Sequence, residues 1–304
     1  MQTRTRFITI LQKFYQVRNR IIKEITQLPV FRDSSELAYT AALKEYRSKL
    51  PVISPQDFDI VDTLRREGVF VTSLKALGIS STSLLTDAAY KLLPTIPTIP
   101  SKNKYEFAIH ATPSQIMSYP EIFLWGLEER LLNIAESYIG LPVAYHGVYL
   151  RRDVANNVQV KSRLWHTDME DYRNFKVVVY LNDVSENGGP FQYIPKYLTS
   201  LLSSSLNYSS GYIKDETVKK VIPESSWNSC TGPSGTVVLV DSANIFHRGK
   251  IPIGSDRFTL FFDYTSRRPR RPYYCKSSLP KDELSVLASR LSELQKEYIY
   301  WRKN

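Results

Sequence analysis

Apolar positions recur with a helical period through the first part of the chain, and in short extended runs from residue 143 onward. Phe7, Ile10, Leu11, Phe14, Val17, Ile21, Ile22 and Ile25 share one helical face, with basic residues over much of the remainder. Residues 7–28 therefore read as a basic amphipathic helix packed on its own domain. "DSSELAYTAALKEYRSKL" predicts a second helix, capped by Ser34 or Ser35 and ended before Pro51. "SPQDFDIVDTLRREGVFVTSLKALGI" (54–79) reads as helix, Gly68, short strand and turn. A further helix over 80–93 stops before Pro94, and the Pro-rich "PTIPTIPSKNK" (94–104) is a surface loop. Residues 120–140 predict one helix, with Pro120 in its first turn and Gly140 as its C-terminal cap.

The extended runs are "VAYHGVYLRRD", "FKVVVYLNDV" (175–184), "FQYIP" (191–195), "SGTVVLVDSANIFHRG" (234–249) and "RFTLFFDYTS" (257–266). Short strands broken by Gly, Pro and Asn turns predict a sandwich or barrel. The Ser-rich stretch 196–233 reads equally as an active-site lid or as a disordered surface loop. "PKDELSVLASRLSELQKEYIYWRKN" predicts a closing helix. The organisation expected is an N-terminal helical extension over 1–55, a core over 56–275 that carries the 196–233 insertion, and a C-terminal helix over 276–304 packed on the core.

Composition narrows the picture in three ways. With 304 residues, 42% of them hydrophobic, the chain can bury a core and is not wholesale disordered. Its formal net charge of +10 is concentrated at the N-terminus and in "SRRPRRPYYCK" (266–276). That charge suits nucleic acid, a membrane surface or an anionic small molecule, but no nucleic-acid motif accompanies it, so nucleic acid is not an expected partner. Cys230 and Cys275 match no zinc or redox spacing and read as reduced thiols. With no signal-peptide run and no apolar stretch near the ~18 residues that span a bilayer, a soluble, cytoplasmic protein is expected.

The candidate chemistry lies in "SRLWHTDMEDYRNFKVVVYLND" (162–183). In an extended strand His166 and Asp168 point to one face. Aspartate is depleted in strands and costly to bury alone, so a positive partner is expected, and a metal dication is one answer. His247, at the end of another strand, can supply a third donor. Two histidines and one carboxylate leave coordination positions open and suit non-haem Fe(II), although the same donors match Zn(II). Arg257, with Thr259 two residues on, can grip a carboxylate. Fe(II) with one Asp leaves one positive charge; a 2-oxoglutarate dianion reverses it, and Arg257 restores near neutrality. Singly, each residue has a structural explanation; the ordered set is much less expected by chance.

This set, with "LRREGVFVTSLKAL", "LPVAYHGVYLRR", "HTDMEDYRNFKVVVYLNDVSENGGPFQYIP" and "PSGTVVLVDSANIFHRG" followed by "DRFTLFFDY", resembles the phytanoyl-CoA dioxygenase-like branch of Fe(II)/2-oxoglutarate oxygenases over roughly residues 56–266. The resemblance implies an α+β fold with a mainly β core, a double-stranded β-helix (jelly roll, cupin-like) flanked by N-terminal and C-terminal helices. It implies His166, Asp168 and His247 as Fe(II) ligands, and Arg257 helped by Thr259 on the distal carboxylate of 2-oxoglutarate. The implied reaction consumes O2, converts 2-oxoglutarate to succinate and CO2, and oxidises an unactivated C–H bond, usually by hydroxylation. Asp168 stands where related halogenases carry a small residue, so halogenation is not expected. The chain departs from the pattern after "YIP", where "KYL" replaces the family's Gly-Ser-His. Tyr149, Arg151 and Lys161 are candidates for the proximal end of 2-oxoglutarate. Trp165, Tyr172, Arg173 and Tyr193 are candidates to face a small-molecule substrate, which the basic balance allows to be anionic; Trp165 reads equally as core. Two other classes stand beside this one. One is an oxygenase acting on a macromolecule or a carrier-tethered group. The other is a non-catalytic metal-binding jelly-roll module, against which Arg257 counts.

Overall fold

The computed structural model describes residues 29–97 and 106–302. The helix expected over 7–28 and part of the 94–104 loop lie outside them. The chain divides into two compact units, Met1–Leu50 and Pro51–Asn304. The first contains the helix Pro29–Tyr46, which begins before Ser34, so neither Ser34 nor Ser35 caps it. Everything below concerns the second unit.

The helix Pro55–Glu67 opens that unit. Ser54 Oγ accepts from the Asp57 N–H, Pro55 sits in the first turn, and Gly68 closes the helix at φ +79°. A Cβ at Gly68 would also run into Ile245, so both the turn and the close approach require glycine. Nine strands follow among the described residues: β1 (Val69–Ser73), β2 (Ala108–His110), β3 (Val143–Asp153), β4 (Phe175–Tyr180), β5 (Phe191–Tyr193), β6 (Asn228–Cys230), β7 (Thr236–Asp241), β8 (His247–Gly249) and β9 (Arg257–Ser266).

They form a six-stranded sheet, β1-β7-β4-β9-β3-β2, and a three-stranded sheet, β6-β5-β8, antiparallel throughout. From β3 onward the chain shuttles between them. β3, β4, β7 and β9 lie in the large sheet; β5, β6 and β8 lie in the small one, which the bridge between His166 and His247 extends. This winding is the double-stranded β-helix expected from the sequence. The middle of the large sheet is deeply buried: "TVVLVD" of β7 is buried throughout and "FKVVVY" of β4 at every position but Lys176. Helix Glu129–Ile139 covers one face, where Tyr138 meets Phe175. Between the sheets, Tyr180, Val178 and Val240 pack with Phe191, Val184 and Cys230. Cys230 and Cys275 are free and buried, as expected.

Several elements differ from expectation. The single helix over 120–140 is two, Glu121–Trp125 and Glu129–Ile139: the backbone turns extended at Glu128 (ψ 134°), beside Gly126, where the Tyr145 ring leaves no room for a Cβ. The closing helix is also two, Lys281–Ala288 and Glu293–Ile299; Ser292 and Gln295 build a capping box that restarts it. The 196–233 stretch is ordered. It holds the helix Lys196–Ser205 and a turn at Asp215–Val218, and buries Leu202, Val218, Ile222 and Trp227 against Trp165, Ile194 and Phe246. A few large apolar residues spaced among serines suffice to fold it. Among the described residues, no helix is long and apolar enough to cross a membrane.

Candidate metal centre

One backbone bridge creates the site. The His166 N–H donates to His247 O (3.1 Å) and the His247 N–H to His166 O (2.9 Å), which joins two segments far apart in the chain. The Asp168 N–H donates to Ser242 O (2.9 Å), tying the carboxylate-bearing residue to the turn after β7. Each imidazole uses Nδ1–H on a backbone carbonyl, His166 on Leu164 (2.8 Å) and His247 on Ile245 (3.2 Å). A carbonyl only accepts, so Nδ1 carries the proton and the Nε2 lone pair is free. Burial, and then the neighbouring His166, push the pKa of His247 down to about 3; burial lowers that of His166 too. Both rings are neutral donors at neutral pH. Asp168 Oδ1 lies 3.7 Å from His166 Nε2, and Oδ2 lies 3.9 Å from His247 Nε2. One ligand atom from each of the three lies within 4.8 Å of the others, a spacing that a single ion can bridge.

A second layer fixes the carboxylate. Lys176 of β4 places Nζ 2.6 Å from Asp168 Oδ2 and 3.5 Å from Asp263 Oδ1. Lys176 and Asp263 are register partners across β4 and β9, so the contact follows from the sheet itself. Burial alone would raise the pKa of Asp168, but Lys176 and the two imidazoles hold it well below the usual carboxylate range. Burial would likewise lower Lys176, but Asp168, Asp263 and Glu170 keep it firmly protonated. Glu170 is pushed up to about 6 by burial and by Asp168 beside it.

The floor of the cavity is cationic. Arg257 and Asp153 are register partners at the ends of β9 and β3. Arg257 Nη2 donates to Asp153 Oδ2 (2.7 Å), and Nη1 donates to the carbonyl of Gly189 in the "SENGGP" turn. Arg151 Nε donates to the same Asp153 oxygen (3.0 Å), while its guanidinium stacks over Phe261. One carboxylate thus serves two guanidiniums, and one positive charge is left over. Thr259 is fully buried, and its hydroxyl has no partner among the described residues; nor does that of Ser242, which lines the cavity. Arg257, Arg151 and Ser242 line a cavity of about 250 Å³, roomier than the roughly 150 Å³ that holds a benzene; Thr259, expected beside Arg257, is not among its lining residues. A metal at the three ligands and a small dicarboxylate reaching Arg257 and Arg151 both fit this set of donors, charges and unpaired hydroxyls.

The structure brings His166, Asp168, His247 and Arg257 into one cavity. Of the proximal-end candidates, Tyr149 and Arg151 line it and Lys161 does not. The four residues expected to face substrate point elsewhere. Trp165 is fully buried against Trp227, with its Nε1–H donating to Asp215; because His166 faces the cavity, its neighbour points to the opposite side, into a second apolar cluster. Arg173 caps the helix Glu129–Ile139 through the carbonyls of Tyr138 and Ile139. Tyr172 lies under Arg270, and Tyr193 packs on the apolar cluster around Tyr180. In their place stand Lys176, Asp263, Arg248 and Tyr212, whose ring meets His166 edge-on at 5.1 Å, while Asp153 lies outside the lining and holds Arg151 and Arg257. Two of these were signalled: Lys176 interrupts "FKVVVY", and Asp263 continues the face of Arg257, Thr259 and Phe261 at period two. Tyr212 comes from the 196–233 insertion and carries no local signal.

No family model matches the chain, and no curated protein does. Among solved structures it is similar to EctD from S. alaskensis with 2-oxoglutarate and 5-hydroxyectoine, at 22% identity over 70% of this chain and 76% of that one, TM-score 0.47. It is also similar to HygX from Streptomyces hygroscopicus with nickel, 2-oxoglutarate and hygromycin B, at 16% identity over 70% and 88%, TM-score 0.44. A third is SnoK, a non-haem 2-oxoglutarate-dependent carbocyclase from nogalamycin biosynthesis, at 15% identity over 79% and 91%, TM-score 0.49. At these identities, the chemistry of this chain rests on its own site.

Proposed function

We propose that this chain is an Fe(II)/2-oxoglutarate-dependent dioxygenase that oxidises, most simply hydroxylates, an unactivated C–H bond of a small molecule, in the phytanoyl-CoA dioxygenase-like branch that its motifs resemble. One observation carries the reading: two neutral imidazoles with free Nε2 atoms and one ionised carboxylate converge at the mouth of a cavity whose buried floor keeps a net positive charge. His166, Asp168 and His247 would hold the iron; Arg257, Arg151 and the Thr259 hydroxyl would take the distal carboxylate of 2-oxoglutarate. Iron so bound supplies O2 activation coupled to decarboxylation, with overall conversion of 2-oxoglutarate, O2 and R–H to succinate, CO2 and R–OH.

The protein's own residues prepare that chemistry. Lys176 takes Asp168 Oδ2 and leaves Oδ1 turned toward His166. The two Nδ1–H bonds fix ring orientation before any ligand arrives, so little ordering remains to be done on binding. Asp153 fixes the two guanidiniums in the same way. Phe191 and Phe261 wall the cavity and exclude water. A cavity of this size admits a small molecule or a single extended arm. That favours a small substrate over a folded macromolecule. Anaerobic addition of Fe(II) and 2-oxoglutarate should produce a weak visible charge-transfer band; a colourless protein at saturating concentrations overturns the assignment. A metabolite screen scored by succinate release then tests turnover and substrate together.

A further inference from the structure

Beyond Lys176 lies a second cavity of about 150 Å³; Tyr149, Lys176 and Asp263 line it and the metal-side cavity alike. Its buried polar lining is rich in acceptors that lack donors. Asn174 commits its amide N–H to Glu170 Oε2 (3.0 Å), and its Oδ1 has no partner. Thr265 donates its hydroxyl proton to Ser266 O (2.9 Å), so it accepts from His146 Nε2–H (2.8 Å) and leaves His146 Nδ1 a bare acceptor. Burial pushes the His146 pKa down to about 3, which keeps that lone pair unprotonated. Asn174 and His146 are only 1% and 4% exposed. Asp263 Oδ1 has no hydrogen-bond partner and meets the Lys176 ammonium at 3.5 Å.

Charge points the same way. The single ammonium of Lys176 stands between Asp168 and Asp263, with Glu170 close by. Both Asp263 and Glu170 line the cavity, whereas the closest contact of Lys176, at 2.6 Å, is to Asp168 on the metal side. Lys276, the other cation in the wall, is exposed and screened by solvent. Tyr149 and Tyr274 add aromatic faces, which favour a cation over an anion.

We propose that this second cavity seats a primary ammonium group of the substrate, bound by Asp263 and Glu170 with His146 Nδ1 and Asn174 Oδ1 as further acceptors. The proposal rests on the oxygenase reading and names its substrate class: a primary amine. The net charge of +10 would suggest an anionic substrate; the local lining selects the opposite sign.

The test uses full-length protein loaded with Zn(II) and 2-oxoglutarate, titrated with n-butylammonium chloride, n-butanol and sodium butanoate by ligand-observed NMR. Butylammonium should bind at least tenfold more tightly than either of the others, and Glu170→Gln and Asp263→Asn should each weaken it at least tenfold. Equal or tighter binding of the alcohol or the carboxylate overturns the proposal, as does unchanged butylammonium affinity in folded variants. The comparison of probes on the wild-type protein decides the matter even where a variant fails to fold. The anaerobic 2-oxoglutarate band of the same protein loaded with Fe(II) in place of Zn(II) separates the two readings. Without the band the oxygenase reading fails; with the band but no ammonium preference, only this inference does.

Discussion

Asp153→Asn tests the architecture of the cavity floor. The substitution keeps the shape of the side chain and removes the carboxylate that bonds both Arg151 and Arg257. Asp153 and Arg257 side chains are 1% and 3% exposed and Arg151 13%, so solvent cannot replace the lost charge. Stranding one member of a buried, hydrogen-bonded ion pair costs about 3–5 kcal/mol. That is a large part of a typical stability of about 5–15 kcal/mol, and at about 2–4 °C per kcal/mol it lowers Tm by on the order of 10 °C. The assay is thermal unfolding by circular dichroism at pH 7, without metal or 2-oxoglutarate. The pH dependence adds a second constraint. Burial raises the pKa of Asp153, but Arg151 and then Arg257 outweigh it, and the folded value lies below the usual one. A group depressed on folding contributes stability that is fully present above its unfolded pKa, near 3.9. That stability is lost as pH falls through the folded value. The gap between wild type and variant should therefore stay constant from pH 7 to pH 5 and close only in stronger acid. A destabilisation below about 1 kcal/mol, the range of exposed pairs, refutes the reasoning, as does a gap that shrinks between pH 7 and pH 5.

Other outcomes follow from the same geometry. Asp168→Ala should abolish both bound iron, measured by metal analysis, and succinate formation, while the circular dichroism spectrum stays native; normal turnover would show that the carboxylate is not a ligand. Arg257→Met should raise the Kd for 2-oxoglutarate at least tenfold in anaerobic titrations and leave that of 2-oxobutanoate, which lacks the distal carboxylate, within about twofold; an equal loss for both places the contact elsewhere. His146 is buried neutral with a pKa near 3. The unfolded chain therefore takes up a proton below about pH 6.5 that the folded chain refuses. Its contribution to stability should fall by about 1.4 kcal/mol per pH unit between pH 6 and pH 4. In denaturant titrations of the metal-free protein, His146→Asn should flatten the stability profile over that range, and an unchanged slope would contradict the burial argument.

The sequence by itself determined what periodicity and residue chemistry can encode locally. Strands 143–153 and 257–266 are read directly from extended apolar runs, and Gly68 and Gly140 mark their helix ends. The H-x-D pair is legible because alternation forces both side chains to one face, and Arg257 with Thr259 for the same reason. The jelly-roll winding was legible only through the order of motifs resembling a known family. Tertiary structure decided the rest. Trp165 looked like a pocket wall because it adjoins His166, yet strand alternation and the partners Trp227 and Asp215 turn it into the core. A helix whose local pattern was continuous breaks at the extended Glu128, beside Gly126, onto which Tyr145 from β3 packs. Asp153, Lys176 and Asp263 acquired their roles from register: each meets its partner across a ladder between strands distant in the chain. Register, sheet pairing and the charge shared among buried groups are relations between segments. A local pattern can propose a ligand, but only the closed sheets decide which charges stand beside it.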